Sequence, residues 1–254
     1  MRVTAQNSAT DKPRIPALLL VGGLGTRLRS LLPATPKALA PVGGAPFLEL
    51  LVTQLRAQGI RHLVMCTGHL ADQIEQRFGG GRDWNLNIDY SKETQPLGTA
   101  GAIKLAEHLL KDAADFLVMN GDSFLEVDFQ QLIRFHHEHG GVVSMAVRNV
   151  PNAARYGTVR TNQSNRIIAF AEKRGLAEPG LISGGVYVFK RCVLEHIPDG
   201  QVSLEVDVFP SLLEEGMFAM RQDGLFIDIG TPEDYARAQS LCRDFQQITD
   251  ARSR

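Results

Sequence analysis

Hydrophobic positions in the first half of the chain fall into short runs that alternate with segments of helical period. The predicted strands are residues 17–21, 63–67, 116–120 and 142–147, and the predicted helices are residues 47–58, 71–78 and 99–110. This alternation is typical of strand–helix–strand units built around a buried parallel sheet. We therefore predict an α/β fold with a central sheet between helices.

In the second half of the chain, the predicted strands are shorter and follow one another more closely. Short strands are predicted at residues 157–160, 167–171 and 186–189, close enough together to form hairpin-like antiparallel pairs. A further strand at 225–229 runs into a helix that starts at Thr231, with a Thr N-cap, Pro232 at the first helical position and Glu233 behind it. The predicted sheet is therefore mixed and mostly parallel, and ligands are expected beyond the carboxyl ends of its strands.

Composition narrows the class of protein. The chain has 254 residues, of which 44% are hydrophobic, which is enough for one sizeable core. We expect a single domain over residues 15–245, with flexible polar tails at 1–14 and 246–254. Lys and Arg (27) balance Asp and Glu (28), so neither nucleic acid nor an anionic membrane is an expected partner.

The location of the protein is predicted from its apolar runs and cysteines. The longest apolar runs, such as residues 141–147, are far too short to cross a bilayer, and the polar start lacks a signal-peptide core. Cys66, Cys192 and Cys242 fit neither a disulfide framework nor a zinc site, so we interpret them as reduced packing residues. A cytoplasmic protein is predicted, and its subunit number, including a homo-oligomer, stays open.

The first strand is followed directly by a glycine-rich loop at residues 22–28, which also carries Thr26 and Arg27. Glycines let backbone NH groups approach phosphate oxygens, and an arginine adds a bidentate clamp. The dinucleotide fingerprint fits poorly because Leu28 stands where a Gly or Ala is required, and the chain lacks a Walker Gly-Lys-Ser/Thr. A phosphate cradle is the favoured interpretation, and a plain glycine turn is the alternative.

Lys37 stands ten residues beyond Arg27, in a stretch stiffened by Pro33 and Pro36. A lysine held by such a stretch presents its ammonium group from a fixed position, which suits a site where negative charge develops at phosphorus. Without its neighbours, it would be interpreted as a solvated loop lysine.

The order of these motifs resembles the sugar-1-phosphate nucleotidylyltransferases, also called sugar-nucleotide pyrophosphorylases. The matching segments lie at residues 22–28, 36–37, 96–102, 120–122, 172–173, 184–187 and 228–232. The resemblance covers nearly the whole chain, and each segment follows a predicted strand or lies in a loop. It implies a Rossmann-like fold of the glycosyltransferase-A type and a reaction in which a sugar phosphate oxygen attacks the α-phosphorus of a nucleoside triphosphate.

The resemblance also assigns a role to most of the charged motif residues. Asp122 and Asp228, each at the end of a predicted strand, are expected to bind Mg²⁺, which prefers hard oxygen ligands; a simple turn aspartate is the alternative for either one. The expected catalytic residues are Arg27, Lys37, Asp122, Lys173 and Asp228. The expected nucleotide-binding residues are Leu20, Gly22, Gly23, Gly25, Thr26, Arg27, Glu93, Gly98 and Thr99. The expected sugar-phosphate-binding residues are Asn120, Gly157, Glu172, Lys173, Gly184 and Gly185.

Two features favour particular substrates. Glu93 lies just before the Pro-Leu-Gly-Thr segment, where the family holds the base, and a carboxylate can accept both the ring NH and the amino group of guanine, which favours GTP. A finer resemblance, to the bacterial D-glycero-α-D-manno-heptose 1-phosphate guanylyltransferases, is carried by residues 27–30, 46–49, 155–157, 180–187 and 203–205. It implies GDP-heptose synthesis for surface polysaccharide; Ser183, where many relatives carry Asn, leaves the sugar contacts open.

Three other interpretations remain. His136, His137 and His139 could bind metal, but they are better explained as the end of a helix, where imidazole suits the negative end of the dipole. A catalytically silent regulatory module would be expected to lack several of the charges that this chain keeps. A glycosyltransferase of similar fold would carry Asp-x-Asp after a strand, where this chain has Asn120-Gly121-Asp122.

Overall fold

The computed structural model describes residues 15–171 and 177–241. The strands are β1 (Ala17–Leu20), β2 (Pro41–Val42), β3 (Ala45–Pro46), β4 (His62–Thr67), β5 (Asn87–Lys92), β6 (Asp115–Asn120), β7 (Ser123–Leu125), β8 (Val143–Val150), β9 (Thr158–Thr161), β10 (Ile167–Ala171), β11 (Gly180–Lys190), β12 (Met217–Arg221) and β13 (Phe226–Asp228). The α-helices are α1 (Phe47–Ala57), α2 (Ala71–Phe78), α3 (Gly98–Leu105), α4 (Phe129–His139), α5 (Phe209–Gly216) and α6 (Pro232–Ser240).

Within the described residues, nine strands form one mixed sheet in which β5, β4, β1 and β6 lie side by side and parallel. β11 runs antiparallel to both β6 and β8, and β9 and β10 extend the sheet beyond β11. The predicted fold class, a mixed sheet with a parallel centre between helices, is confirmed. The carboxyl ends of β1, β4 and β6 therefore meet at one edge.

The sheet has a hydrophobic core on each face, which explains the continuous apolar runs of its central strands. Leu19 of β1 points into a core formed with helices α1, α2 and α4, whereas its neighbour Leu18 points into a core formed with α3 and α5. Both side chains are completely buried. No helix among the described residues combines the length and the apolar composition that a membrane span requires.

Three predicted features of the helices can be compared with the structure: the start of α6, the end of α3 and the histidines of α4. The helix predicted after Thr231 is present: Asp234 N donates to the Thr231 hydroxyl at 3.2 Å, and α6 begins at Pro232. Helix α3 ends at Leu105 and passes into a 3₁₀ turn, so it is shorter than the predicted 99–110 segment. The three histidines lie at the end of α4, as the helix-end interpretation predicts. The predicted tails, 1–14 and 246–254, lie outside the described residues.

Candidate active site

A cavity of about 440 Å³ opens where the parallel strands end. The register of the sheet places Cys66, Leu20 and Asn120 side by side at the ends of β4, β1 and β6, and all three line the cavity. The predicted site residues that line it are Leu20, Gly22, Gly23, Gly25, Thr26, Arg27, Lys37, Glu93, Gly98, Thr99, Asn120 and Asp122. Residues from four separate stretches of sequence are thus brought together.

The glycine loop forms one wall of this cavity. Gly25 adopts a left-handed conformation (φ 57°), after which residues 26–28 make a single 3₁₀ turn that ends on the buried Leu28. Leu28 holds the loop against the protein, while Arg27 is exposed at the cavity surface. The loop therefore brings its backbone and one guanidinium group to the cavity.

Lys37 lies against the loop at Gly25 and forms a short charged contact in the cavity. The extended Pro36 precedes it, and a 3₁₀ turn over Lys37–Leu39 is closed by a bond from Ala40 N to the carbonyl oxygen of Lys37. The Lys37 ammonium lies 2.5 Å from Asp122 Oδ2. Its side chain is only 16% exposed, so the charge faces the cavity rather than bulk solvent.

Asp122 and Asp228 are brought together by a small antiparallel ribbon and not by the main sheet. β13 pairs with β7, placing Asp228 opposite Ser123, and Ile229 N donates to the carbonyl oxygen of Asp122 at 2.9 Å. Burial, with a smaller contribution from the charge of Asp122, raises the pKa of Asp228 above its ordinary value. Gly230 N, two residues further along the chain, donates to one oxygen of Asp228.

This pair of carboxylates suits a divalent cation of the hard class. Among the described residues no group of three or more acidic, His or Cys side chains could hold a metal by itself. An ion between Asp122 and Asp228 would thus need further oxygen ligands from phosphates and water, which is the coordination that Mg²⁺ favours. A cation there would also offset the charge repulsion from Asp122, which adds to the larger effect of burial on the pKa of Asp228.

Glu93 forms the wall of the cavity at the β4–β5 side. It is half-buried, and its Oε2 accepts a hydrogen bond from Leu97 N at 3.1 Å. Its other oxygen, Oε1, lies close to the backbone of Gly22 and Gly68. Burial raises the pKa of the Glu93 carboxyl, which the bond from Leu97 partly offsets.

The residues expected on the sugar side occupy a β-bulge and its surroundings. The register between β8 and β11 shifts at Gly184 and Gly185, where Gly185 has a φ of 72° and lies against Asn120 and Ser123. Ser183 stabilises the bulge because its hydroxyl accepts from Gly185 N and pairs with the Tyr187 hydroxyl at 2.8 Å.

Several predicted residues lie apart from the cavity lining or beyond the described part of the chain. The cavity lining does not include Gly157, Gly184, Gly185 or Asp228. Gly157 directly precedes β9, and Gly184 packs on Leu125. Glu172 and Lys173 fall outside the described residues. Arg155, two residues before Gly157, donates to the Thr231 hydroxyl at 2.9 Å and to Asp234 Oδ1 at 2.6 Å, so it ties this loop to the first turn of α6.

Sequence reasoning missed two contributions to the cavity. Gln201 lines it beside Pro96 and Thr99, although more than 90 residues separate the two segments along the chain. Cys66, interpreted as a packing residue, is buried and bonded through its thiol to the carbonyl oxygen of Ala102 at 3.5 Å, but it also forms part of the cavity floor. The β1–β4 register would have located Cys66, whereas no local motif marks Gln201.

An α/β sheet with a glycine-rich loop and paired carboxylates beyond its strand ends is typical of nucleotide-handling proteins. The chain matches the nucleotidyl transferase family over residues 16–244, and it belongs to that family. The resemblance on which the site residues were chosen is thereby confirmed at the level of the family.

Individual relatives agree with this membership. The chain is 38% identical to a mannose-1-phosphate guanylyltransferase of Mycobacterium tuberculosis, covering 89% of this chain and 64% of that protein. It is also 38% identical to the D-glycero-α-D-manno-heptose 1-phosphate guanylyltransferase of Aneurinibacillus thermoaerophilus, covering 88% of this chain and 96% of the relative. The chain thus spans slightly less than two thirds of the mannose enzyme.

Solved structures give the same picture of the fold. The crystal structure of HddC from Yersinia pseudotuberculosis superposes with a TM-score of 0.80 at 32% identity, covering 91% of this chain and 99% of HddC. HddC has also been solved as a complex with GMP-PN.

Proposed function

We propose that this protein is a sugar-1-phosphate guanylyltransferase, which transfers GMP from GTP to a sugar 1-phosphate and releases pyrophosphate. The observation that carries the proposal is the convergence of the glycine loop, Lys37 and Asp122 on one cavity. Family membership supports the transfer of a nucleotidyl group, and the two relatives named guanylyltransferases support GTP as the donor.

The reaction requires little covalent work from the protein. A phosphate oxygen of the sugar 1-phosphate forms a bond to the α-phosphorus of GTP, while the bond between that phosphorus and the β-phosphate oxygen breaks and its electron pair leaves with pyrophosphate. The chain must bring two polyanions together and stabilise the charge that develops in transfer. We assign the β- and γ-phosphates to the amides of the glycine loop and to Arg27, and the α-phosphate to Lys37.

We further propose that Asp122 and Asp228 hold Mg²⁺. Both donors are carboxylates, and the backbone bond from Ile229 to Asp122 keeps them close together. Mg²⁺ bound there would neutralise phosphate charge and polarise the phosphorus under attack. The carboxylates themselves orient the reacting groups and leave phosphate oxygens and water to complete the coordination.

Glu93 is proposed to recognise guanine. Leu97 N fixes one carboxylate oxygen, so the group is held at the cavity wall before any ligand arrives. An ionised carboxylate can accept from both N1–H and the N2 amino group of guanine, whereas uracil and thymine offer only one donor on the corresponding edge. The second hydrogen bond would favour GTP over UTP and dTTP.

For the acceptor we propose D-glycero-α-D-manno-heptose 1-phosphate, with Asn120 at the cavity floor and Gly157, Gly184 and Gly185 nearby. The motifs at residues 155–157 and 180–187 support heptose. Glu172 and Lys173 are proposed to bind the same substrate on the strength of the family resemblance. Mannose 1-phosphate is the runner-up because the mannose enzyme is equally similar at 38% identity. Glucose or N-acetylmuramate 1-phosphate with UTP or dTTP is a more distant alternative.

An assay of pyrophosphate release tests these proposals. Each of GTP, UTP and dTTP is combined with each sugar 1-phosphate in the presence of Mg²⁺, and kcat/KM is compared across the panel. The proposal expects GTP with the heptose phosphate to give the highest kcat/KM. A higher kcat/KM for GTP with mannose 1-phosphate would make mannose 1-phosphate the acceptor in place of the heptose phosphate. A higher kcat/KM with UTP or dTTP would overturn the assignment of guanine. Binding of GTP without turnover on any sugar would support a catalytically silent module.

A further inference from the structure

The first turn of α3 is built to receive another part of the chain. A Cβ atom on Gly98 would lie 2.5 Å from the carbonyl oxygen of Val202, and one on Gly101 would lie 2.3 Å from that of Gly200. Real Cβ atoms do not approach so closely, and Gly98 also has a φ of 72°. The glycines of the Pro-Leu-Gly-Thr-Ala-Gly motif therefore allow residues 200–202 to cross directly over the helix.

Backbone hydrogen bonds fasten this crossing at the residues that directly follow Gln201. Val202 N donates to the carbonyl oxygen of Leu97 at 2.8 Å, and Ala100 N donates to that of Val202 at 2.9 Å. Leu204 N donates to the Thr99 hydroxyl at 2.8 Å. Val202 and Leu204 are buried, so the main chain that carries Gln201 is fixed even though its side chain is exposed.

Gln201 extends into the cavity from the wall that faces the cationic groups. Its neighbour Val202 packs into the core on the α3 face of the sheet, whereas Ala38, next to Lys37, packs into the core on the α1 face. The cavity lies between these faces, with Asn120 at its floor. Within the described part of the chain, the Gln201 amide has no hydrogen-bond partner.

The chemistry of the side chain indicates which part of a ligand it would meet. A neutral primary amide offers two donors and an acceptor, which match the hydroxyl groups of a sugar better than the oxygens of a triphosphate. In the proposed function, Arg27 and Lys37 bind the phosphates on the opposite wall of the cavity. A fixed backbone also suits a specificity contact, because little ordering is required when the ligand binds.

We propose that Gln201 is a specificity-determining residue that hydrogen-bonds hydroxyl groups of a sugar held between α3 and Asn120. The proposal rests on the proposed function, in which the cavity holds two sugars: the ribose of GTP and the sugar of the sugar 1-phosphate. Hydroxyl recognition is common to both, and the experiment below separates them.

The test compares the wild-type protein with Gln201→Met, which keeps the length of the side chain but removes its hydrogen bonds. Gln163→Leu, an exposed glutamine in the turn between β9 and β10, is the matched control. Steady-state constants are measured for GTP, 2′-deoxy-GTP and the preferred sugar 1-phosphate, and Kd values for the same ligands are measured by calorimetry without turnover.

Loss of one neutral hydrogen bond predicts a change of about 3- to 10-fold. If the acceptor sugar is bound, KM for the sugar 1-phosphate rises by that factor and KM for GTP stays constant. If the ribose is bound, the preference for GTP over 2′-deoxy-GTP falls instead. Unchanged constants for all three ligands in Gln201→Met would overturn the proposal, and so would an equal change in Gln163→Leu.

The calorimetric arm separates this proposal from the proposed function. A wild-type protein that releases no pyrophosphate with any pair of substrates contradicts the function, whatever Gln201 does. In that case a higher Kd of Gln201→Met than of the wild-type protein, for GTP or for a sugar 1-phosphate, still supports the contact. Identical Kd values for wild-type and Gln201→Met contradict it.

Discussion

The ammonium group of Lys37 lies 2.5 Å from Asp122 Oδ2, joining two residues that are 85 positions apart in the sequence. In the proposed reaction these groups have different partners, the α-phosphate for Lys37 and a divalent cation for Asp122. Their direct pairing means that a cation which binds Asp122 must compete with an ammonium group already in contact with it. When phosphate enters with the cation, Lys37 can exchange its contact with Asp122 for a contact with the α-phosphate.

Replacement of Lys37 by Met is therefore expected to have two opposite effects. Turnover should fall by about 10²- to 10³-fold because one electrostatic stabiliser of the phosphate is lost. Mn²⁺ affinity without nucleotide, measured by calorimetry, should rise because the competing ammonium is gone. Lys111→Met, at an exposed position, is the control and should change neither. Full turnover in Lys37→Met would rule out a role for this lysine at phosphorus.

A second prediction concerns the close crossing at Gly98. Gly98→Ala places a Cβ against the carbonyl oxygen of Val202 and strains a left-handed backbone. We expect the free energy of unfolding in urea to fall by at least about 2 kcal/mol. Gly80→Ala is the matched control, because a Cβ there meets no atom within 4 Å, and it should change stability by less than about 0.5 kcal/mol. Equal stability of the two variants would show that the crossing is looser than described.

Glu93 gives a prediction about base selection. Glu93→Gln replaces one of the two acceptor oxygens of the carboxylate by a donor NH₂ group, so the side chain should no longer accept from both guanine NH groups. The ratio of kcat/KM for GTP to that for UTP is expected to fall about 10- to 100-fold, the worth of one bidentate contact to a base. Glu138→Gln, on the exposed side of α4, should leave the ratio unchanged. A selectivity retained in Glu93→Gln would mean that another group recognises the base.

The buried His136 predicts a dependence of stability on pH. Its side chain is fully buried, with Nδ1 2.9 Å from the Ser144 hydroxyl and Nε2 3.8 Å from Asp115. Burial lowers the pKa from 6.5 to about 4, although Asp115 opposes the shift and His137 and Lys190 assist it. The folded state thus favours the neutral ring. The contribution of neutral His136 to the free energy of unfolding is complete above pH 6.5 and is lost as the pH falls toward 4.

This contribution amounts to about 3 kcal/mol when the shift is converted at 1.36 kcal/mol per pKa unit. Urea unfolding of the wild-type protein and of His136→Asn at pH 7 and at pH 4.5 measures it. Stability should fall more steeply with acid in the wild-type protein than in the variant, since carboxylates that titrate in both cancel in the comparison. Parallel losses in the two proteins would contradict the prediction.

The parts of the site that the sequence located share a simple physical origin. Asn120 and the glycine loop directly follow buried apolar runs, and parallel strands bring such positions to one edge of a sheet. Thr231, Pro232 and Glu233 marked the start of α6 for a similarly local reason, the capping of a helix. Local rules of this kind depend on neighbouring residues only, so they can be applied without the fold.

Other parts of the site depend on contacts between distant segments. β13 was predicted as a strand, but its pairing with β7, which brings Asp228 to Asp122, depends on register between segments about 100 residues apart. The docking of residues 200–204 on α3 is of the same kind. Gly98 and Gly101 are compatible with a close approach of another segment, but nothing in the motif identifies which segment approaches.

In the proposed reaction, this cavity joins the α-phosphate of GTP to a sugar 1-phosphate. GTP labelled with ³²P at the α-phosphate tests it most directly, with the labelled products separated and pyrophosphate counted in the same samples. We expect label to move into a GDP-sugar in an amount equal to the pyrophosphate released. Asp122→Asn should abolish both products while remaining folded. Label that stays in GTP or appears only as free GMP, with every sugar 1-phosphate supplied to a folded wild-type protein, would contradict it.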